Sequence, residues 1–197
     1  MNSASKTSLG SSEKASGASA ARLVLENPVM LSAHRYLSPR GRALTPEQVE
    51  IRRIAYALKE PDPVACRIAA KIMAPILLDA EPNRHIVLMP VPTSAGNTTP
   101  NSRLAADIAA EIGRLDPRRK ITIQATVGRR HPVESSCQRR KRGLRGLPAA
   151  QHAIIAVSQP PAEAAAYFLD NVRTEGVTIA ACRAALGHGN SIVWAAK

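Results

Sequence analysis

From residue 85 onward apolar positions fall in five short runs, separated by polar turns and longer amphipathic stretches. The runs are His85 to Val91, Ile121 to Val127, Ala153 to Val157, Ala164 to Leu169 and Ser191 to Ala196. Their length and their apolar or alternating character predict strands, most of them buried on both faces. Between them, Leu104, Ala105, Ile108, Ala109 and Ile112 recur at helical spacing and predict a helix from about Asn101 to Leu115. A second helical pattern, Ile179 to Leu186, has Thr178, Ala181, Cys182, Ala185 and Leu186 on its expected core face and stops at Gly187. Strands alternating with helices predict an α/β fold with a three-layer parallel sheet of about five strands.

Upstream of this alternation the period is helical. Thr45-Pro46-Glu47-Gln48 is a helix start, with Thr45 as N-cap, Pro46 in the first turn and Gln48 closing a capping box. Val49, Ile51, Ile54, Ala55 and Leu58 then form a stripe as far as Lys59, with Arg52 and Arg53 expected on the solvated face. Asp62 and Pro63 open a second helix, in which Pro75 is expected to place a kink. Leu23 to Leu37 fits no single pattern. Met1 to Ala21 is rich in Ser, Ala and Gly without apolar periodicity, and lacks the apolar core of a secretory signal. The expected organisation is a disordered tail over 1–21, a helical segment over 22–84 and an α/β domain over 85–197.

Composition narrows the class of partner. Lys and Arg number 27 against 15 Asp and Glu, a formal charge of +12 that favours nucleotides, diphosphates or nucleic acid. Aromatic residues are only 3%, which excludes a broad stacking surface for single strands. No apolar run approaches the ~18 residues of a membrane span. Cys66, Cys137 and Cys182 are scattered, without metal-ligand spacing, and point to a reducing, cytoplasmic setting.

The chain is organised around Tyr167-Phe168-Leu169-Asp170-Asn171-Val172-Arg173-Thr174-Glu175-Gly176-Val177-Thr178. An apolar strand ends at a carboxylate, a small polar turn follows, and a helix begins. Free N–H groups of such a turn and helix start hold a phosphate. The acid can accept hydrogen bonds from ribose hydroxyls. Thr93-Ser94, in the polar turn after the run at His85 to Val91, reads either as a second anion-binding loop or as an ordinary surface turn.

The stretch resembles the phosphoribosyl-diphosphate (PRPP) motif of type I phosphoribosyltransferases. Asp170 matches the motif's first acid, Thr174 the start of its phosphate loop, Gly176 its glycine and Thr178 its closing threonine. Asn171 replaces the second acid, and Glu175 stands where a small residue is usual. Met89-Pro90-Val91-Pro92 resembles the competence-protein F branch, although the basic segment and Arg-Gly-Phe-Asn that usually follow are missing. The resemblance implies PRPP as ligand, Mg²⁺ as cofactor and transfer of phosphoribosyl to a nitrogen base with release of diphosphate. It implies that Asp170, Asn171 and Thr174 serve catalysis, with Asp170 tethering Mg²⁺ through water. Thr174, Glu175, Gly176, Val177 and Thr178 would hold the 5′-phosphate, and Thr93 and Ser94 the diphosphate.

Gly128 to Gly146 carries seven Arg and Lys residues against the single acid Glu134. Three readings stand side by side. It is a lid whose Arg139, Arg140 and Arg142 close over the diphosphate, as the resemblance implies. It grips nucleic acid through residues 129–145. Or it is a solvated basic face. The substitutions at Asn171 and Glu175 favour an alternative to catalysis: a non-catalytic regulator or a DNA- or RNA-handling accessory protein on the same fold.

Overall fold

Thr45 and Asp62 begin their helices as the sequence predicts. The computed structural model describes residues 28–37, 43–173 and 175–197; the expected tail and Thr174 lie outside them. The Thr45 side chain accepts from the Gln48 N–H while the Gln48 side chain accepts from the Thr45 N–H, and helix α1 runs Pro46–Ala57. Asp62 accepts from Ala65 N–H at 2.7 Å and starts α2, Pro63–Ala80, which continues past Pro75. Strand β1 (Met30–Arg35) precedes them; β2 (Ile86–Pro90), α3 (Thr99–Leu115), β3 (Ile121–Ile123), β4 (Val127–Arg129) and α4 (Ser136–Lys141) follow. After a short 3₁₀ turn at Ala149–His152 come β5 (Ile154–Ala156), β6 (Ala165–Arg173), α5 (Val177–Leu186) and β7 (Asn190–Ala196).

Five strands form one sheet in the order β1-β7-β6-β2-β3, and every pairing in it is parallel. Its membership corrects the sequence reading. The undecided N-terminal stretch supplies the fifth strand, β1, beside β7. The run Ile121 to Val127 breaks in two. Gln124 N–H donates to Leu88 O, the chain leaves the sheet, and Val127 onward pairs antiparallel with β5 in a separate ribbon. Alternation marks a segment as extended but does not name its partner, so the break was invisible beforehand.

Successive strand residues point to opposite faces and build two cores. Leu88, Tyr167, Leu169, Ile192 and Trp194 pack with α1, α2 and α3. Val87, Met89, Phe168 and Val193 pack with Ile179, Cys182 and Leu186 of α5. Ile179 thus takes the core place expected of Thr178. Two large buried side chains of the sheet pair their polar atoms: Trp194 Nε1 donates to Ile51 O at 3.0 Å, and the Tyr167 hydroxyl donates to Glu81 Oε1 at 2.7 Å. At the turn into β7, Gly189 has φ of 120°, and a Cβ there would lie 2.7 Å from the Phe168 ring. Only glycine fits this close approach.

Cys66 and Cys182 are buried, and burial pushes their thiols up to about 11 and about 12. Cys137 is exposed. A thiol reagent at pH 8 is therefore expected to modify Cys137 rapidly, and Cys66 and Cys182 only on unfolding. More than one fast thiol per chain contradicts this packing. Among the described residues no helix is long and apolar enough to cross a membrane.

Candidate functional site

From β2 the chain passes to β3 on one side of it, whereas β6 and β7 lie on the other. The order therefore reverses between β2 and β6. Side-by-side loops leave such a point in opposite directions and open a crevice above the strand ends. A cleft of about 550 Å³ lies there.

Its floor forms because two neighbouring strands end at different heights. The β2–β6 ladder finishes with Val91 N–H donating to Leu169 O at 3.0 Å, and Pro92 has no N–H to extend it. β6 continues on its β7 side through Arg173, three residues beyond Asp170, where the sequence reading had ended the strand. Asp170 and Asn171 consequently sit on a strand with one side unpaired. Asp170 Oδ1 accepts from Asn171 N–H at 2.8 Å, and Asn171 Oδ1 accepts from Val172 N–H at 2.8 Å. Both side chains remain on the cleft wall.

Asn101 was not foreseen as a site residue. Buried in the first turn of α3, it donates to Val91 O at 2.8 Å and reaches Asp170 Oδ1 at 3.5 Å, joining the two strand ends. A polar residue on the buried side of a predicted helix was its only signal. Burial raises Asp170 to about 6 against the opposing pull of Asn171 N–H, Asn101 and the Lys59 charge. The carboxyl is thus a better proton acceptor than an ordinary aspartate.

The second wall is the turn after β2. Thr93 N–H donates to Asn97 O at 2.8 Å, Gly96 N–H to Thr93 O at 3.0 Å, and Gly96 takes φ of 94°. Arg129 braces the turn from below, its Nε donating to Thr93 O at 2.9 Å and its Nη1 to His152 O. Burial lowers the Arg129 pKa, and burial together with Arg129 lowers that of the buried His152. Thr93 and Ser94 both line the cleft, as expected.

The basic segment is more ordered than its composition suggested. Val133 N–H donates to Ser94 O at 2.8 Å, fastening the segment to the turn. Ser135 and Gln138 form a capping box that starts α4. Of the three arginines expected over a diphosphate, Arg140 lines the cleft. Arg139 and Arg142 are drawn to Glu134, at 3.6 and 3.1 Å, and Arg139 Nε also donates to Arg145 O at 2.7 Å.

The third wall is the start of α5. Gly176 takes φ of 72° as its N-cap and contributes no capping side chain. Among the described residues no side chain caps the helix's first turn, so its N–H groups can meet a ligand or water. A hollow of about 40 Å³ adjoins them, bordered by Arg173, Glu175, Gly176, Val177 and Thr178 on one side and Gly146 on the other. The Glu175 carboxylate points at Gly146: a Cβ there would lie 2.8 Å from Glu175 Oε2. Thr178 also reaches the main cleft.

Among the described residues no cluster of three His, Cys, Asp or Glu side chains could hold a metal ion. With Asp170 as the carboxylate at the strand end, the residues fit a Mg²⁺ that arrives on phosphate oxygens and keeps most of its water.

The chain matches no protein-family model, no curated protein and no solved structure.

Proposed function

We propose that the cleft binds PRPP and that the protein is a phosphoribosyltransferase of the type I, competence-protein F-like kind, with the corresponding three-layer fold. One observation carries this reading. Asp170, the Thr93–Asn97 turn and, through Thr178, the start of α5, far apart in sequence, line one cleft at the reversal of strand order, and the first residues of α5 border the hollow that adjoins it. The basic segment supports it by lying between β3 and β6, where the family's mobile loop sits.

In this reading Asp170 and Asn171 hold the ribose hydroxyls. The amides of Glu175 to Thr178, with Thr174, hold the 5′-phosphate. The Thr93–Ser94 turn and Arg140 face the diphosphate. Mg²⁺ bound to PRPP would neutralise phosphate charge, with Asp170 bonding to its water. As the ribose C1–O bond to diphosphate breaks, diphosphate leaves with the electron pair. The acceptor nitrogen forms the new C1–N bond and gives up its proton, for which Asp170 is the base at hand. Closure of the basic segment excludes water from this step. Three free cysteines support a cytoplasmic setting.

With Mg²⁺ present and PRPP at a hundredfold excess over Kd, the melting temperature is expected to rise by about 5–10 °C. Asp170→Ala is expected to abolish the rise. No rise at millimolar PRPP overturns the proposal.

A second reading is favoured by Glu134, which pairs with two of the three arginines the resemblance assigns to the diphosphate while Arg142 keeps 67% of its side chain exposed. Here the protein binds a nucleotide without turnover and presents Arg130, Lys141, Arg142 and Arg145, all exposed, to DNA or RNA. A salt-sensitive electrophoretic shift, lost when these four are neutralised, with no diphosphate release from PRPP, selects this reading.

A further inference from the structure

Trp, Tyr and Phe total five residues in the whole chain, and the structure uses them in two ways. Tyr167, Phe168 and Trp194 are core residues with almost no exposed surface. Tyr36 and Tyr56 both line the cleft, and Tyr56 is 53% exposed although it lies on the helix that covers the sheet. Tyr36 follows β1 and is held by its N–H to Ala196 O; Tyr56 is held by α1. Buried Ala55 adds little bulk beside them, which leaves room for a flat group.

The charge around these rings has one sign. Lys59 Nζ lies 5.2 Å and Arg52 Cζ 5.9 Å from the Tyr56 ring centre. Arg52 is therefore not simply on the solvated face expected of it. Tyr36 feels the positive charges of Arg52 and Arg140, and its pKa is raised chiefly by burial, then by the nearby Tyr56 phenol. Of the carboxylates lining the cleft, Glu134 is engaged by Arg139 and Arg142, and Asp170 lies on β6. Lys59 lines the cleft together with the tyrosines, and its charge is felt at Asp170. A ring entering beside Tyr56 would meet both Lys59 and Arg52, neither of which forms an ion pair among the described residues, and a carboxylate on that ring would pair with them where a neutral ring would not.

Resting on the PRPP reading, we infer that the acceptor is an aromatic ring carrying a carboxylate, held by Tyr36, Tyr56 and Lys59 at the α1 end of the cleft. The tyrosines supply the stacking faces. Lys59 meets the carboxylate, with Arg52 and Arg140 adding to the positive field. The ring nitrogen or amine then faces the ribose carbon.

The test uses protein saturated with ribose 5-phosphate and Mg²⁺, which positions the donor half without allowing transfer. Ribose 5-phosphate binding is measured first and by itself. Equilibrium dialysis then compares orotate with uracil, nicotinate with nicotinamide and anthranilate with aniline. At least one acid is expected to bind about tenfold or more tightly than its neutral partner. Lys59→Met is expected to bring that ratio to about one, and Tyr56→Leu to weaken acid and neutral ring together. If ribose 5-phosphate binds but every ratio is near one, no ring binds, or both variants behave as wild type, the inference is overturned and the PRPP reading stands. If ribose 5-phosphate does not bind, the PRPP reading falls and takes this inference with it.

Discussion

Asp170→Asn is expected to stabilise the protein at pH 7 while impairing its binding. The native carboxyl titrates near 6 rather than at the usual 3.8, because burial penalises its charge more than its hydrogen bonds relieve it. Between about pH 4 and pH 6 the folded chain therefore holds a proton that the unfolded chain has lost, and stability falls as the pH rises. The elevation corresponds to on the order of 3 kcal/mol, and partial exposure to solvent reduces the expected gain to about 1–2 kcal/mol. Asn has no charge to desolvate, and its Oδ1 can still accept from Asn171 N–H and Asn101. Chemical denaturation across pH should show the variant and wild type alike below about pH 4, diverging through pH 4–6, and separated by a constant gap above. Binding should move the other way. Losing charged hydrogen bonds to the ribose hydroxyls should weaken PRPP roughly 10- to 100-fold. A variant destabilised at pH 7 would show that the carboxylate is a structural anchor and not a strained site group.

Gly176→Val should remove the phosphate site by a different route. Gly176 sits at φ of 72°, and a Cβ would lie 2.5 Å from Arg173 Nε. The arginine can swing away, but the left-handed backbone remains unfavourable for a β-branched residue by about 1–2 kcal/mol or more. The expected outcome is a modest fall in melting temperature with PRPP binding reduced roughly tenfold or more, because the first-turn amides of α5 no longer converge. Gly143→Val is the control. It has φ of 70°, and nothing lies within 4 Å of its Cβ position. It should share the backbone penalty and spare binding. Equal losses in both variants would point to general destabilisation.

What the sequence made legible was local chemistry. Thr45, Gln48 and Asp62 declare their helix starts because capping needs only residues within one turn of each other. β2, β6 and β7 are apolar enough to be recognised because they are buried on both faces. The motif stretch identified Asp170 and the start of α5 as wall residues, since strand, acid, glycine and helix follow each other directly. Non-local pairing was not legible. β1 is half-buried beside β7 and has too little apolar content to stand out. The run from Ile121 parts at Gln124, whose side chain donates to Ser158 Oγ and Gln159 O, partners distant in sequence. Arg139 and Arg142 read as free cations because one acid among many bases carries no sign of where it will sit. Asn101 escaped notice, and Arg129 read only as one more base of the segment, for the same reason: each matters through backbone carbonyls that folding brings to it.

The central claim is that the three walls around Asp170 form one PRPP site. Isothermal titration of the full chain with PRPP and Mg²⁺, repeated on Asp170→Asn, tests it most directly. The expected result is saturable binding of one PRPP per chain, with affinity falling roughly 10- to 100-fold in the variant. No binding at millimolar PRPP, or equal affinity in the two proteins, would contradict the claim.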